Sequence, residues 1–336
     1  MNRAIPLYKP TGAALRQRSG NNPMEVILHV GAHRTATTSF QHYLRAYEPR
    51  ISATRTAFWG PHRTRKGMFA GLFPDARKVN AKTSPDRVRG RLSVQMARTA
   101  SNGAERLLIT DENMIGTSRH CVRTGLLFPA VGDRMARYGA AFDARVGRVV
   151  LSIRSPDSWW ASAIAYAVSR GHGVPDQAKL DRIAQMRRTW RDVITDLACA
   201  MRGVDICIAP FEEWSGKPDA FLGAATGITA PKDTDDRWLN RAPDLAALRV
   251  LLAGRGERPD LLPQGTGRWL PFNDQQTADM RETYADDMFW LAAGADGLAR
   301  LTPNPARTRA GPSQPTGDMR EGHHHDSRYR KMAQSG

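Results

Sequence analysis

The stretch EVILHVGAHRTATTSFQ, residues 25–41, carries the reading of the fold. Its first six residues (25–30) form an almost unbroken apolar run, too short for a helix and rich in β-branched side chains, which predicts a strand buried on both faces. Gly31 ends the run. The following GAHRTATTSFQ (31–41) is a loop of small and hydroxyl side chains leading into helical spacing over 37–47. A strand, a tight loop and a helix N-terminus together present free backbone N–H groups and the positive end of the helix dipole, so this segment is suited to an anion. Thr35, Thr37, Thr38 and Ser39 add hydroxyls, and Arg34 adds a fork of donors matched to phosphate or sulfate.

Outward from this segment the same alternation repeats. RLLIT (106–110), RVVLSI (148–153) and DICIAP (205–210) are further strand candidates, separated by helical patterns at 86–101, 123–138, 157–169 and 176–201. Beyond residue 243 the pattern is helical, and no internal repeat is present. Apolar strands alternating with helices long enough for crossovers predict an α/β fold with a central parallel sheet flanked by helices.

The 336 residues include 49 Lys+Arg against 33 Asp+Glu and are 41% hydrophobic, enough for a sizeable core and unlike a disordered chain. No run approaches the ~18 apolar residues of a membrane span, and MNRAIPLYKPTGAALRQRSG at the start lacks an apolar signal core, so a cytoplasmic location is expected. Cys121, Cys199 and Cys207 are odd in number and widely spaced, which argues against disulfides or a Cys-based zinc site and predicts reduced core thiols.

The net charge of +16 is concentrated in three blocks: +4 in residues 1–23, +8 in 51–91 and +4 in 300–336. The two terminal blocks lack apolar periodicity. They predict a disordered basic arm (1–23) and a disordered basic tail (301–336) around one domain at 24–300, with no more than weak metal affinity in His323–His325. The middle block holds Arg55, Arg63, Arg65, Lys66, Arg77, Lys78, Lys82, Arg87, Arg89 and Arg91 against Asp75 and Asp86. Its two readings are a solvated face and a docking site for an anionic partner. Because the rest of the chain is close to neutral, no specific nucleic-acid surface is expected.

A nucleotide-hydrolysing P-loop requires Gly, Lys and Ser/Thr at the end of the first loop, where this chain has Ala36, Thr37 and Thr38. An ordinary ATPase or GTPase is thereby excluded. The second informative segment, RVVLSIRSPDSWWAS (148–162), places Arg154 at a strand end and Ser162 eight residues on. Ser155 can cap the helix that Pro156 begins, leaving Ser162 about two turns in. Trp159 and Trp160 can stack on a base or pack in the core, and their spacing with Ala163, Ile164 and Ala167 favours the core.

Together the two segments resemble the bacterial and glycan-type sulfotransferases, which use 3′-phosphoadenosine-5′-phosphosulfate (PAPS). HVGAHRTATTSFQ is similar to that family's 5′-phosphosulfate loop, and Arg154 with Ser162 to its 3′-phosphate pair. LLITDENMIG (107–116), PFEEW (210–214), RWLNRAP (237–243) and the late helix with Tyr284 and Asp287 extend the similarity over residues 24–295. The resemblance implies a P-loop-NTPase-like three-layer fold. It implies PAPS held by His33, Arg34, Thr35, Ala36, Thr37, Thr38, Arg154 and Ser162, release of 3′,5′-adenosine diphosphate, no metal, and a hydroxylated acceptor of glycan or anionic type.

The implied catalytic residues are Arg34 and a base. Glu112 is the first choice of base, with His120 and His172 as alternatives. Two departures stand out. The family's loop cation is usually Lys, whereas Arg34 can neutralise a leaving oxygen but not donate a proton, its pKa being above ~12. Ala36 replaces the usual Gly, which predicts a restricted φ and a changed loop. A PAPS-binding protein without turnover and a basic polyanion adaptor are the alternative readings.

Overall fold

A computed structural model describes residues 24–74, 84–235 and 238–304. The expected arm (1–23), most of the expected tail, the His tract and Arg77, Lys78 and Lys82 of the middle block lie outside the described residues. The described residues up to Thr302 form one compact unit.

The fold is α/β, with a single parallel sheet of six strands. They are β1 (Glu25–His29), β2 (Thr56–Trp59), β3 (Arg106–Thr110), β4 (Val146–Ile153), β5 (Asp205–Pro210) and β6 (Arg300–Leu301), in spatial order β2-β3-β1-β4-β5-β6. Four match the expected strands. The edge strands β2 and β6 were not foreseen: β2 is four residues inside the basic block, and β6 is a two-residue pairing with Cys207 and Ile208.

Alternation of side chains along β1 explains the two hydrophobic layers. Val26 and Leu28 face a cluster with Trp159, Trp160 and Trp190, while Ile27 faces one with Phe40, Leu44 and Phe221. Helices therefore cover both faces, as a parallel sheet requires. Both tryptophans of the helix Pro156–Ser169 are fully buried core residues.

Two expected long helices are each broken. The 123–138 pattern divides into Ser118–Thr124 and Val131–Phe142, because Gly125 adopts a left-handed conformation (φ 73°) at the first helix's C-terminus and Pro129 follows. The 176–201 pattern divides into Gln177–Ala184 and Trp190–Ala200, since Thr189 and Asp192 form a capping box that starts a new helix. Ser155 occupies the N-cap position of Pro156–Ser169 without capping a backbone N–H; its hydroxyl donates to Asp157 Oδ1 at 2.5 Å. The backbone N–H of Ser155 donates instead to Glu212 Oε1 at 2.9 Å, and Tyr284 donates to Glu212 Oε2 at 2.9 Å. The PFEEW turn and the late helix thus brace the strand end that carries Arg154. Cys121 and Cys207 are buried, as expected, whereas Cys199 is exposed on the outer side of its helix.

The chain leaves β1 towards β2 and β3, and leaves β4 towards β5. Their carboxyl ends flank the point where the connections diverge, where open α/β sheets form a crevice. Pairing continues past β1, with Val30 and Ala32 donating to Val150 and Ser152 carbonyls at 2.9 and 3.0 Å. At the seam sits His29, wholly buried, with Nδ1 2.9 Å from Thr110 Oγ1 and Nε2 3.3 Å from Ser152 Oγ. Burial pushes this imidazole down to about 4, against which Glu112 pulls it up. Gly31 tolerates no side chain, because a Cβ there would lie 2.7 Å from His29 Nε2 and 2.9 Å from Thr37 Cγ2.

Candidate functional site

Above the carboxyl ends of β1, β3 and β4 lies a cleft of about 650 Å³, within the range of small-ligand sites. His33, Arg34, Ala36, Thr37 and Thr38 from the first loop line it, with Glu112 from beyond β3 and Arg154 and Ser162 from beyond β4. Thr35 is the one expected binding residue that does not reach the cleft. Its hydroxyl donates to the Ala32 carbonyl at 2.5 Å, which tightens the loop, and its side chain borders a smaller cavity of about 60 Å³. Ser39 also turns to that side, accepting from Leu239 N–H at 2.9 Å.

Ala36 was expected to restrict φ in the loop, yet Arg34 and Ala36 are both left-handed, with φ of 69° and 62°, so the alanine adopts a conformation that glycine would take more cheaply. No side chain caps the helix α1 (Thr37–Ala46), and its first turn holds no acid, so the dipole end faces the cleft uncompensated.

Arg34 Nε donates to Ser162 Oγ at 3.0 Å, and its guanidinium lies 4.7 Å from the ring centre of Tyr166. Arg154 Nη1 donates to the Arg34 carbonyl at 3.0 Å and Nε to Ser158 Oγ at 2.8 Å, while its guanidinium covers the Phe211 ring at 4.3 Å. The indole N–H groups of Trp159 and Trp190 hold the two loops in place, donating to the carbonyls of His33 and Arg154 at 2.7 and 2.8 Å. A third cation, Arg268, lines the same region and donates to the Ser158 carbonyl at 2.8 Å. Among the described residues, none of Arg34, Arg154 and Arg268 forms an ion pair. Burial, then Arg268, push Arg154 down to about 10, and burial lowers the other two. Such a cluster stores repulsion that a dianion relieves.

The opposite wall is balanced. Glu112 lines the cleft with Oε1 2.9 Å from Arg65 Nη2 and Oε2 3.0 Å from Gln41 Nε2. Asp111 faces away from the cleft, accepting from Thr64 Oγ1 at 2.5 Å and Arg65 Nη2 at 2.7 Å. Burial raises the Glu112 carboxyl, but His33 and Arg65 outweigh it and hold the group below its ordinary value of 4.5. His33 Nε2 is 3.0 Å from the Asn113 side chain, and its Nδ1 is buried without a partner among the described residues. Turning the Asn113 amide gives its oxygen Arg65 as donor and its nitrogen His33 as acceptor, which places the imidazole proton on Nδ1. His120 pairs with Arg123 at 2.8 Å, and His172 is flanked by Arg119 and Lys179; neither lines the cleft.

Of the seven described bases of the middle block, five find partners within the domain. Arg55 pairs with Glu105, Arg63 with Gln95 and the Trp59 ring, Arg65 with Asp111 and Glu112, Arg89 with Asp86, and Arg91 with the Met68 and Ala70 carbonyls. Among the residues bordering the cleft, Phe211 and Trp238 lie in the PFEEW and RWLNRAP segments, to which the sequence reading assigned no binding role, and Arg268 lies outside every segment it singled out. The GTGRW segment (265–269) was the available signal for Arg268: glycines at a loop with an Arg, in the style of anion-binding turns. No described helix is long and apolar enough to cross a membrane. No protein-family model, curated protein or solved structure matches the chain.

Proposed function

We propose that this protein transfers a sulfuryl group from PAPS to a hydroxylated acceptor of glycan or anionic type. The observation that carries the reading is the convergence, in one cleft, of an acid-free loop and helix N-terminus with three arginines that form no ion pair among the described residues. The two loops meet directly, Arg34 Nε reaching Ser162 Oγ at 3.0 Å. In this reading the loop N–H groups with Thr37 and Thr38 hold the 5′-phosphosulfate, while Arg154, Ser162 and Arg268 hold the 3′-phosphate. The faces of Phe211 and Trp238 offer apolar area for the base.

PAPS supplies the activated sulfuryl group. The acceptor oxygen forms a bond to sulfur as the bond between sulfur and the bridging oxygen breaks, and the electron pair leaves with 3′,5′-adenosine diphosphate. Arg34 neutralises that departing charge, and Glu112 takes the acceptor proton. A carboxylate held below 4.5 is a weak base, so it suits a proton that becomes strongly acidic only as the new bond forms.

The reading of a PAPS-binding protein without turnover draws support from Arg34, whose Nε is engaged by Ser162 and whose guanidinium faces Tyr166. Calorimetric titration of the full chain with 3′,5′-adenosine diphosphate, followed by labelled-sulfate transfer to a glycan panel, separates the cases. Binding with transfer supports the enzyme, binding without transfer the silent protein, and no binding removes both.

A further inference from the structure

The sequence places Arg65 in a basic block that invites an external anion, but the fold turns it inward to the turn after β3. Its Nε lies 3.2 Å from Asp111 Oδ1, its Nη2 lies 2.7 Å from Asp111 Oδ1, and the same Nη2 lies 2.9 Å from Glu112 Oε1. With the Asn113 amide turned, Arg65 also donates to that side chain at 3.1 and 3.2 Å. One guanidinium thus spans three consecutive residues, and Gln41 from α1 completes the hold on Glu112 at 3.0 Å.

Resting on the sulfotransferase reading, we infer that Arg65 is a positioning residue for the acceptor side: with Gln41 it fixes the Glu112 carboxylate at the cleft wall, ionised and oriented to receive the acceptor proton. A side chain 43% exposed would not be drawn from solvent across to a turn 46 residues away without the paired acids waiting there. The planar fork matters as much as the charge, because one Lys ammonium cannot meet three successive side chains in fixed directions. The groups facing Glu112 are His29 at the end of β1, His33 from the loop after it, Gln41 from α1, Arg65 from the turn after β2, and Asp111 and Asn113 beside it. Of these, Arg65 carries a permanent charge that lowers it, and His33, itself lowered by burial, does so only when protonated.

The test uses the full chain as wild type, Arg65→Gln and Arg65→Lys. The Glu112 carboxyl is followed by carbon NMR titration of protein labelled at glutamate, assigned with Glu112→Gln, and sulfate transfer from PAPS is measured across pH. The Glu112 midpoint should move up in Arg65→Gln and lie between the two in Arg65→Lys. The acid limb of the transfer rate should move with it, and kcat should fall by about tenfold or more, within the range of acid–base contributions, with little change in KM for PAPS. An unshifted Glu112 midpoint in folded Arg65→Gln overturns the inference, as does an acid limb that stays in place while kcat falls. Should Arg65→Gln fail to fold, Arg65→Lys and Gln41→Met carry the same comparison, with an unmoved midpoint in both overturning it. Failure of wild type to bind 3′,5′-adenosine diphosphate sinks the sulfotransferase reading instead, and the NMR midpoint then still decides whether Arg65 governs Glu112.

Discussion

Two walls of one cleft treat arginine in opposite ways. On the β4 side, Arg34, Arg154 and Arg268 crowd together with hydroxyls, carbonyls and aromatic faces and, among the described residues, form no ion pair, while Glu212 and Asp157 act on Arg154 only from beyond contact. On the β3 side, Arg65 is matched by Asp111 and Glu112. An unpaired cation cluster raises the energy of the empty protein and returns that energy when an anion arrives, whereas a paired one is satisfied from the start. The first wall is left with charge that an external anion would offset, and the second is satisfied by its own carboxylates. Charge counts along the sequence cannot make this distinction, since both walls read simply as basic.

The largest expected effect falls on the unpaired wall. Arg154→Ala should weaken 3′,5′-adenosine diphosphate binding by about 10³-fold, or ~4 kcal/mol, in calorimetry at fixed salt, as truncation of a buried charge-assisted contact does. A loss under tenfold would mean that this wall does not hold the anion.

Next comes the seam between the walls. His29 is neutral in the folded chain, with its pKa near 4 against 6.5 when unfolded, so the unfolded state binds more protons between these values. Stability should therefore be fully present above pH 6.5 and fall by about 3 kcal/mol as the pH drops to about 4. Urea denaturation at a series of pH values measures this, and His29→Gln should flatten that part of the curve. Glu112 adds a separate loss at lower pH: its folded value is depressed, so its contribution is present above 4.5 and disappears as the pH falls through that lower value.

The paired wall should show the reverse of the first in stability. Arg65→Met should cost ~2 kcal/mol by leaving Asp111 buried and unmatched, a figure below the 3–5 kcal/mol of fully buried pairs because Arg65 is partly solvated. Arg268→Met should shift stability by less than ~1 kcal/mol, since its removal also relieves repulsion. Equal losses in the two variants would erase the contrast. The smallest effect belongs to the loop: Ala36→Gly should stabilise by up to ~1 kcal/mol, read as a rise in Tm, because the left-handed φ of 62° no longer meets a Cβ.

The sheet and the position of the loop at its carboxyl edge were legible because their signals are local. EVILHV is a buried strand by its apolar run, and the small residues of GAHRTATTSFQ mark a tight turn into a helix. The edge strand TAFW was hidden among charges, and at four residues it offers too little periodicity to read. Arg34 and Ser162 lie 128 residues apart, and Arg65 and Asp111 lie 46 apart, so their contacts depend on how strands are ordered across the sheet. Thr35 shows the opposite failure: its residue type fitted the expected role, but its hydroxyl serves the loop's own backbone. Breaks in the long helical patterns were written in Gly125 and in the Thr189–Asp192 spacing, and the apolar period alone passed over them.

Gly31 sets a limit on how this scaffold can be re-engineered. Because a methyl group there would strike the His29 ring and Thr37, any substitution at position 31 must displace the seam histidine or the first residue of α1. Diversity aimed at new acceptors belongs at Arg119, which borders the cleft and is exposed, rather than at Thr117, whose hydroxyl caps the helix Ser118–Thr124.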